Sequence, residues 1–200
     1  FASFMALHMQ MITRGWLVLR LADDSPLSLS LVMVSFAAPM TFVSLIGGAL
    51  ADRISRKRMV MFSQTGSAIL ALLVATLDIT DFVEFWHLLV LGVLNGSLMA
   101  FNMPSRQAII SDTVPEDKLM NAISLSNSAM NLTRIFGPAL AGILILYIDT
   151  AGVFFLISDI YVFATLSIVT INAGTKPASS SRRGMTGDIR EGLAYVFGNP

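Results

Sequence analysis

Apolar residues run along this chain in long blocks separated by short clusters of charge, and the distances between charges measure the elements. Asp24 and Asp52 enclose 27 uncharged residues, Arg58 and Asp78 enclose 19, and Glu84 and Arg106 enclose 21. A helix crosses a bilayer with about 20 mostly apolar residues, so each block predicts a membrane-spanning helix. Three further blocks are interrupted once or twice: 2–21 by Arg14 and Arg20, 121–148 by Arg134, and 152–171 by Asp159. The expected fold class is therefore all-α, a polytopic membrane protein with spans at about 2–21, 28–50, 59–77, 85–104, 121–148 and 152–171. No strand pattern competes with it. An arginine inside the first block, and no small-x-small cleavage site before Asp23, argue against a secretory signal peptide.

Composition agrees with the pattern. The 200 residues are 54% hydrophobic and 13% charged, against roughly 25% charged in a typical soluble domain, and the mean hydropathy is +0.72. The 13 basic residues balance the 13 acidic ones, so no net field points to nucleic acid. With 0 Cys there is no disulfide, thiolate zinc site or cysteine nucleophile, and His8 and His87 are too few for a histidine-rich metal site. Neither histidine stands in an H-E-x-x-H pattern and no G-x-x-x-x-G-K-[ST] phosphate loop is present. These absences argue against an intramembrane enzyme, a resident cofactor or metal, and an ATP-driven pump.

The short connections sort by charge. Those after spans two, four and six hold Arg53, Arg56, Lys57, Arg58, Arg106, Lys118, Lys176, Arg182, Arg183 and Arg190, ten of the 13 basic residues. Those after spans one, three and five hold Asp23, Asp24, Asp78, Asp81, Glu84 and Asp149, with no Lys or Arg. The positive-inside rule places the first set, and both ends of the chain, in the cytoplasm. Lys176, Pro177 and the run Ser179–Ser181 read as a cytoplasmic linker over 172–200. Within it Ile189, Leu193, Val196 and Phe197 recur at helical spacing, opposite Asp188, Arg190 and Glu191. They predict the start of an amphipathic helix on the inner membrane face.

Three local patterns carry chemistry. The connection Gly47-Gly48-Ala49-Leu50-Ala51-Asp52-Arg53-Ile54-Ser55-Arg56-Lys57-Arg58 sets one carboxylate among four basic residues, with a small residue for close helix packing. The fifth block contains Gly137-Pro138 and Gly142, where proline removes a backbone hydrogen bond and bends the helix, a plausible hinge. In the same block Asn121, Ser124, Asn127, Asn131 and Arg134 fall on one helical face. An arginine at mid-span costs roughly 2.5 to 3.5 kcal/mol on insertion scales. Arg134 therefore lines a water-filled cavity or pairs with Asp159, the acid of span six. Arg14 poses the same question, with Gln10 one turn away on its face, whereas Arg20 beside Asp23 and Asp24 is expected to snorkel to the interface. Two interior arginines against one aspartate favour an anionic or electron-rich ligand. The 12 Met and 13 Phe are expected to pack or face lipid, with an adaptable cavity as the alternative.

The loop resembles the signature of the major facilitator superfamily, G-x-x-x-D-R-x-G-R-[RK]: Gly48, Asp52, Arg53, Arg56 and Lys57 match, and Ser55 stands in place of a glycine. The fifth block is similar to the superfamily's antiporter signature, G-x-x-x-G-P-x-x-G-G, through Gly137, Pro138 and Gly142, with Thr133 and Ala141 in place of glycines. In the fourth block Gly92 stands where proton-linked members carry arginine, followed by Asn95 and Gly96. The stretch from Met103-Pro104-Ser105-Arg106-Gln107 to Leu125 resembles the efflux branch that contains the enterobactin exporter. The resemblance covers essentially all 200 residues.

What it implies is an amino-terminal half, two three-helix repeats, of a twelve-helix secondary transporter working by alternating access. Gly48, Asp52, Arg53, Arg56 and Lys57 would form a conformational switch loop. Gly137, Pro138 and Gly142 would form a helix-five hinge, and Gln10, Arg14, Asn127, Asn131, Arg134 and Asp159 would be candidates for the substrate cavity. The expected partners are a small lipophilic or anionic substrate such as a drug or siderophore-like metabolite, a proton as coupling ion, the lipid bilayer and a missing carboxy-terminal half. The expected location is a bacterial inner membrane. A start at Phe1 and an end at Pro200, where a new helical pattern has just begun, read as a fragment. The alternatives are a nutrient uptake permease of the same superfamily, or a complete six-helix membrane protein acting as a homodimer or scaffold.

Overall fold

The structure, a computed structural model, describes residues 1–51 and 55–170. Asp52 and Arg53 of the switch loop, the 172–200 linker and its amphipathic helix lie outside the described residues. Five helices account for nearly all the rest: α1 (Ala2–Leu21), α2 (Pro26–Ala51), α3 (Arg56–Ile79), α4 (Phe85–Thr113) and α5 (Glu116–Val169). No strand occurs among the described residues. Four of the helices, α2 to α5, are long and apolar enough to cross a membrane.

Aspartates shape three of the turns. Asp23, Asp24, Asp81 and Asp149 all have positive φ, between 46 and 58°. Aspartate enters this left-handed region more readily than most residues because its short side chain bonds the local backbone. Asp149 does so within α5, where φ 56 and ψ 178° interrupt the helix and its Oδ1 accepts the Thr150 N–H at 2.6 Å. The helix thus consists of two arms, 116–148 and 150–169, joined at a single residue. After the first turn Pro26 opens α2, where its missing N–H costs nothing. Before α4 the Glu84 N–H donates to His87 Nδ1 at 3.0 Å, which makes His87 half of a capping box.

Proline does not end α4. Pro104 lies inside the helix, which continues to Thr113, beyond the limit near 104 expected from the sequence. Asn102 and Ser105 on either side are buried against α3: Asn102 Nδ2 donates to Ser63 Oγ at 2.6 Å, and Ser105 Oγ meets Met59 Sδ at 3.7 Å. These ties offset the bond lost at the proline. Arg106 therefore belongs to a helix face and not to a cytoplasmic loop, a correction with consequences below.

The helices pair as α1 with α5, α2 with α4, and α3 with both α4 and α5, while α1 and α4 barely touch. Met9, Leu17, Val18, Val74, Leu88, Phe154, Ile157 and Tyr161 fill the core. Large apolar side chains also point outward, including Trp16, Phe42, Phe62, Trp86, Ile135 and Phe163, as an envelope facing hydrocarbon requires.

Glycines set two of the seams. A Cβ on Gly96 would stand 2.1 Å from the Phe36 carbonyl oxygen of α2, and one on Gly137 would stand 2.7 Å from His8 Cβ of α1. Nothing lies within 4 Å of a Cβ built on Gly142, so the close contact expected there is not made among the described residues. Gly137→Ala is therefore expected to lower thermal stability and Gly142→Ala to leave it within about 0.5 kcal/mol. Parallel melts of the two variants check the contrast.

Candidate functional site

Polar residues gather at three levels along the bundle. At the acidic end, Arg20 leaves α1 and binds two carboxylates. It pairs with Asp78 of α3 and, with Nη1 at 3.1 Å from Oδ1, with Asp149 of α5. Asp78 is 4% exposed and also accepts the Thr150 hydroxyl. Arg20, expected to reach the interface beside Asp23 and Asp24, also ties three helix ends together through its charge.

At the basic end, Arg56 Nη1 donates to Asp112 Oδ2 at 2.8 Å and to the Ala108 carbonyl at 3.3 Å, tying the start of α3 to the end of α4. Lys57 Nζ donates to the Val169 carbonyl at 2.9 Å. Two members of the proposed switch loop thus bridge helix ends.

Between these levels lies a pocket of about 370 Å³ bounded by α1, α2 and α4. Arg14 and Gln10, one turn apart on α1, line it together with His8, Phe36 and five methionines: Met11, Met33, Met40, Met99 and Met103. Arg14 is 7% exposed, and its guanidinium carbon stands 5.7 Å from the Phe36 ring centroid. It makes no hydrogen bond or ion pair with a described residue. Gln10 is 3% exposed, and its Nε2 is buried with no partner among them. The buried Tyr161 hydroxyl, likewise unpartnered, lies within electrostatic reach of both Arg14 and Arg106. A buried guanidinium without a carboxylate is costly in a low-dielectric interior. What the arrangement offers is a desolvated positive charge and an amide donor in a pliable, polarizable wall.

The other cavity candidates sit elsewhere. Thr133, Gly137 and Ala141, four residues apart, form the buried stripe that α5 lays on neighbouring helices. Asn127, Asn131 and Arg134 occupy an adjoining face and are exposed. Asp159 is exposed on the second arm, and no ion pair joins it to Arg134 among the described residues. The pairing weighed for these two is absent because the buried register of α5 turns both outward. His8 is occupied by the backbone and a hydroxyl: its Nδ1 lies 2.8 Å from the Phe4 carbonyl and 3.4 Å from Thr133 Oγ1. The sequence reading did not find the roles of Phe36, Tyr161 and Asp78. The G-x-x-x-G spacing of Gly92 and Gly96 was the available signal for the α2–α4 seam.

A family model described as transmembrane secretion effector, of the major facilitator type, matches residues 1–198. The chain belongs to this family. It is a chain of a transporter family, and its apolar helices fit an integral membrane protein. The chain is also similar to proteins named as transporters or as an efflux pump. The chain is 31% identical over 179 residues to the uncharacterized MFS-type transporter YfiS of Bacillus subtilis, covering 86% of this chain and 41% of that protein. It is 28% identical over 194 residues to the multidrug efflux pump Tap of Mycolicibacterium fortuitum, covering 92% and 47%. It is 25% identical over 146 residues to the staphyloferrin A transporter of Staphylococcus aureus, covering 72% and 36%. The chain thus spans less than half the length of these major facilitator relatives.

Proposed function

We propose that this chain is the amino-terminal, six-span half of a twelve-helix secondary transporter that exports a small lipophilic or anionic compound by alternating access. The observation that carries the reading is Arg14, buried without a carboxylate in a pocket whose other walls are methionine, phenylalanine and an unpartnered amide. An anion with an apolar body satisfies the charge, the amide donor and the methionines at once. One relative is named as a multidrug efflux pump, which fits outward movement of such a compound, and another is named as a staphyloferrin A transporter.

In this reading Asp149 divides α5 into the fifth and sixth spans, and the basic end faces the cytoplasm. Both chain ends lie there, in a bacterial inner membrane. Asn127, Asn131 and Arg134 face the second half of the polypeptide across the transport path, with Asp159 toward its margin. The loop of Gly48, Asp52, Arg53, Arg56 and Lys57 switches between states, Gly137, Pro138 and Gly142 act as the hinge, and a proton gradient drives the cycle.

The test uses the whole protein in inside-out vesicles, with a fluorescent carboxylate dye and its neutral methyl ester. An acid-inside gradient is expected to drive accumulation of the carboxylate. Accumulation confined to right-side-out vesicles would favour uptake instead, and transport restricted to cationic dyes would overturn the substrate class.

A further inference from the structure

The Arg14 pocket extends well past the guanidinium. Its lining on α1 runs from Leu7 and His8 to Arg14, and His8 and Arg14 are six residues apart, about 9 Å along the helix axis. Their side chains do not close that gap. Gly15 faces Leu29 and Met33 of α2, so Phe36, further along that antiparallel helix, lies nearer the start of α1. The Arg14 guanidinium over the Phe36 ring therefore leans toward the start of α1, as a long helical side chain does. His8 leans the same way, one turn back to the Phe4 carbonyl, so the two groups stand at opposite ends of the pocket.

Neighbouring groups fix the tautomer of His8. Nδ1 lies 2.8 Å from the Phe4 carbonyl oxygen and 3.4 Å from Thr133 Oγ1. A carbonyl only accepts, and the Thr133 hydroxyl donates its hydrogen to the Met130 carbonyl at 2.8 Å, so its oxygen also accepts toward His8. Nδ1 is therefore the nitrogen that carries the hydrogen in the neutral ring, and Nε2 carries a lone pair. No described residue donates to Nε2. With Nδ1 turned to the backbone of its own helix, the opposite edge of the half-buried ring is the one left for the pocket it lines. Arg14 and Gln10 thus present donors toward one end and His8 an acceptor at the other, and the remaining lining residues are Leu, Val, Ala, Phe and Met.

We propose that His8 is a second recognition group of this pocket, accepting at Nε2 a hydrogen bond from a hydroxyl on the transported compound. The inference rests on the reading that the pocket receives that compound. With Arg14 taking the anion, it narrows the substrate class to an anion and a hydroxyl held apart by an apolar spacer of about the length of an aromatic ring. The methionines take the spacer. A hydroxyl directly beside the anion does not reach Nε2, and a compound without a hydroxyl leaves the acceptor unpaired.

The test is calorimetric binding to the purified whole protein of 4-hydroxybenzoate and 4-methylbenzoate, which share a shape but differ in the donor, and of the corresponding 2-substituted pair. The wild type is expected to prefer 4-hydroxybenzoate about fivefold, the worth of one hydrogen bond, and to show no such preference within the 2-substituted pair. This comparison needs no variant. His8→Phe keeps a ring and the Cβ beside Gly137 but has no acceptor. It is expected to abolish the 4-hydroxy preference while Kd for 4-methylbenzoate stays within about twofold. His8→Gln, whose amide oxygen accepts in place of Nε2, is expected to retain most of the preference. Methyl esters of the 4-substituted pair separate this inference from the anion reading: a hydroxyl preference that persists in the esters, with acids and esters bound alike, upholds His8 and overturns only the anion on Arg14. An unchanged 4-hydroxy preference in His8→Phe, or an equal preference at the 2-position, overturns the proposal.

Discussion

Gly96→Ala is expected to cost about 3 kcal/mol, the upper part of the range for overpacking, and to lower the melting temperature of the purified protein by roughly 10 °C. The added methyl would stand 2.1 Å from the Phe36 carbonyl oxygen and 3.0 Å from its carbon. Both are backbone atoms of α2, so relief requires the two helices to part along their whole seam. That seam also forms one wall of the Arg14 pocket, through Phe36, Met99 and Met103. A Gly96 variant should therefore lose transport together with stability. Gly92→Ala provides the control. Its methyl would meet the Ser35 hydroxyl at 2.3 Å, but that group ends a side chain able to rotate away from its present bond to the Val32 carbonyl. Thermal melts followed by size-exclusion fluorescence should show a large loss for Gly96→Ala and a small one for Gly92→Ala. Similar losses would mean that the α2–α4 seam is not set by backbone contact at Gly96.

The acidic end carries the second large effect. Asp78 is almost wholly buried, and Arg20 is its charged partner. Among the described residues, Arg20→Ala leaves a buried carboxylate with only the Thr150 hydroxyl donating to it, and breaking such a pair costs about 3–5 kcal/mol. Replacing both members by apolar residues of similar volume, Arg20→Met with Asp78→Leu, is expected to restore most of the loss, because no charge is then stranded. Asp149 should contribute little by comparison, since its side chain is 67% exposed and exposed pairs are worth about 0–1 kcal/mol. The order expected in melts is Arg20→Ala least stable, the double variant intermediate, and Asp149→Asn near wild type. A double variant no better than Arg20→Ala would show that the three helix ends are held by charge itself.

The helical, apolar character of the chain was legible because charge is confined to short connections, and apolar blocks bounded by Asp24, Asp78 and Glu84 leave little room for another fold. The polarity of the two ends was legible for the same reason. Periodicity orders the faces of one helix but does not say which faces meet. Gln10 and Arg14 could be placed together on α1 from spacing alone. The methionines around them come from α1, α2 and α4 and converge only when those helices pair. Arg134 looked like a residue of the interior because its block is apolar, yet Thr133, Gly137 and Ala141 take the buried register and turn it outward. Arg106 was read as a loop residue because Pro104 suggested a helix end, and the ties of Asn102 and Ser105 to α3 carry the helix past it. Arg20 and Asp78 are 58 positions apart in the chain, so no local pattern links them.

The most direct measurement is the KM of the whole protein, with Arg14 and with Arg14→Gln, for a lipophilic carboxylate and for its methyl ester of nearly the same size. Removing the guanidinium takes away a charge-assisted contact worth roughly 1.5–3 kcal/mol, so KM for the carboxylate is expected to rise about tenfold or more while KM for the ester stays within about twofold. Equal changes for the two compounds, or no change for either, would contradict the assignment of Arg14 as the group that receives the anion.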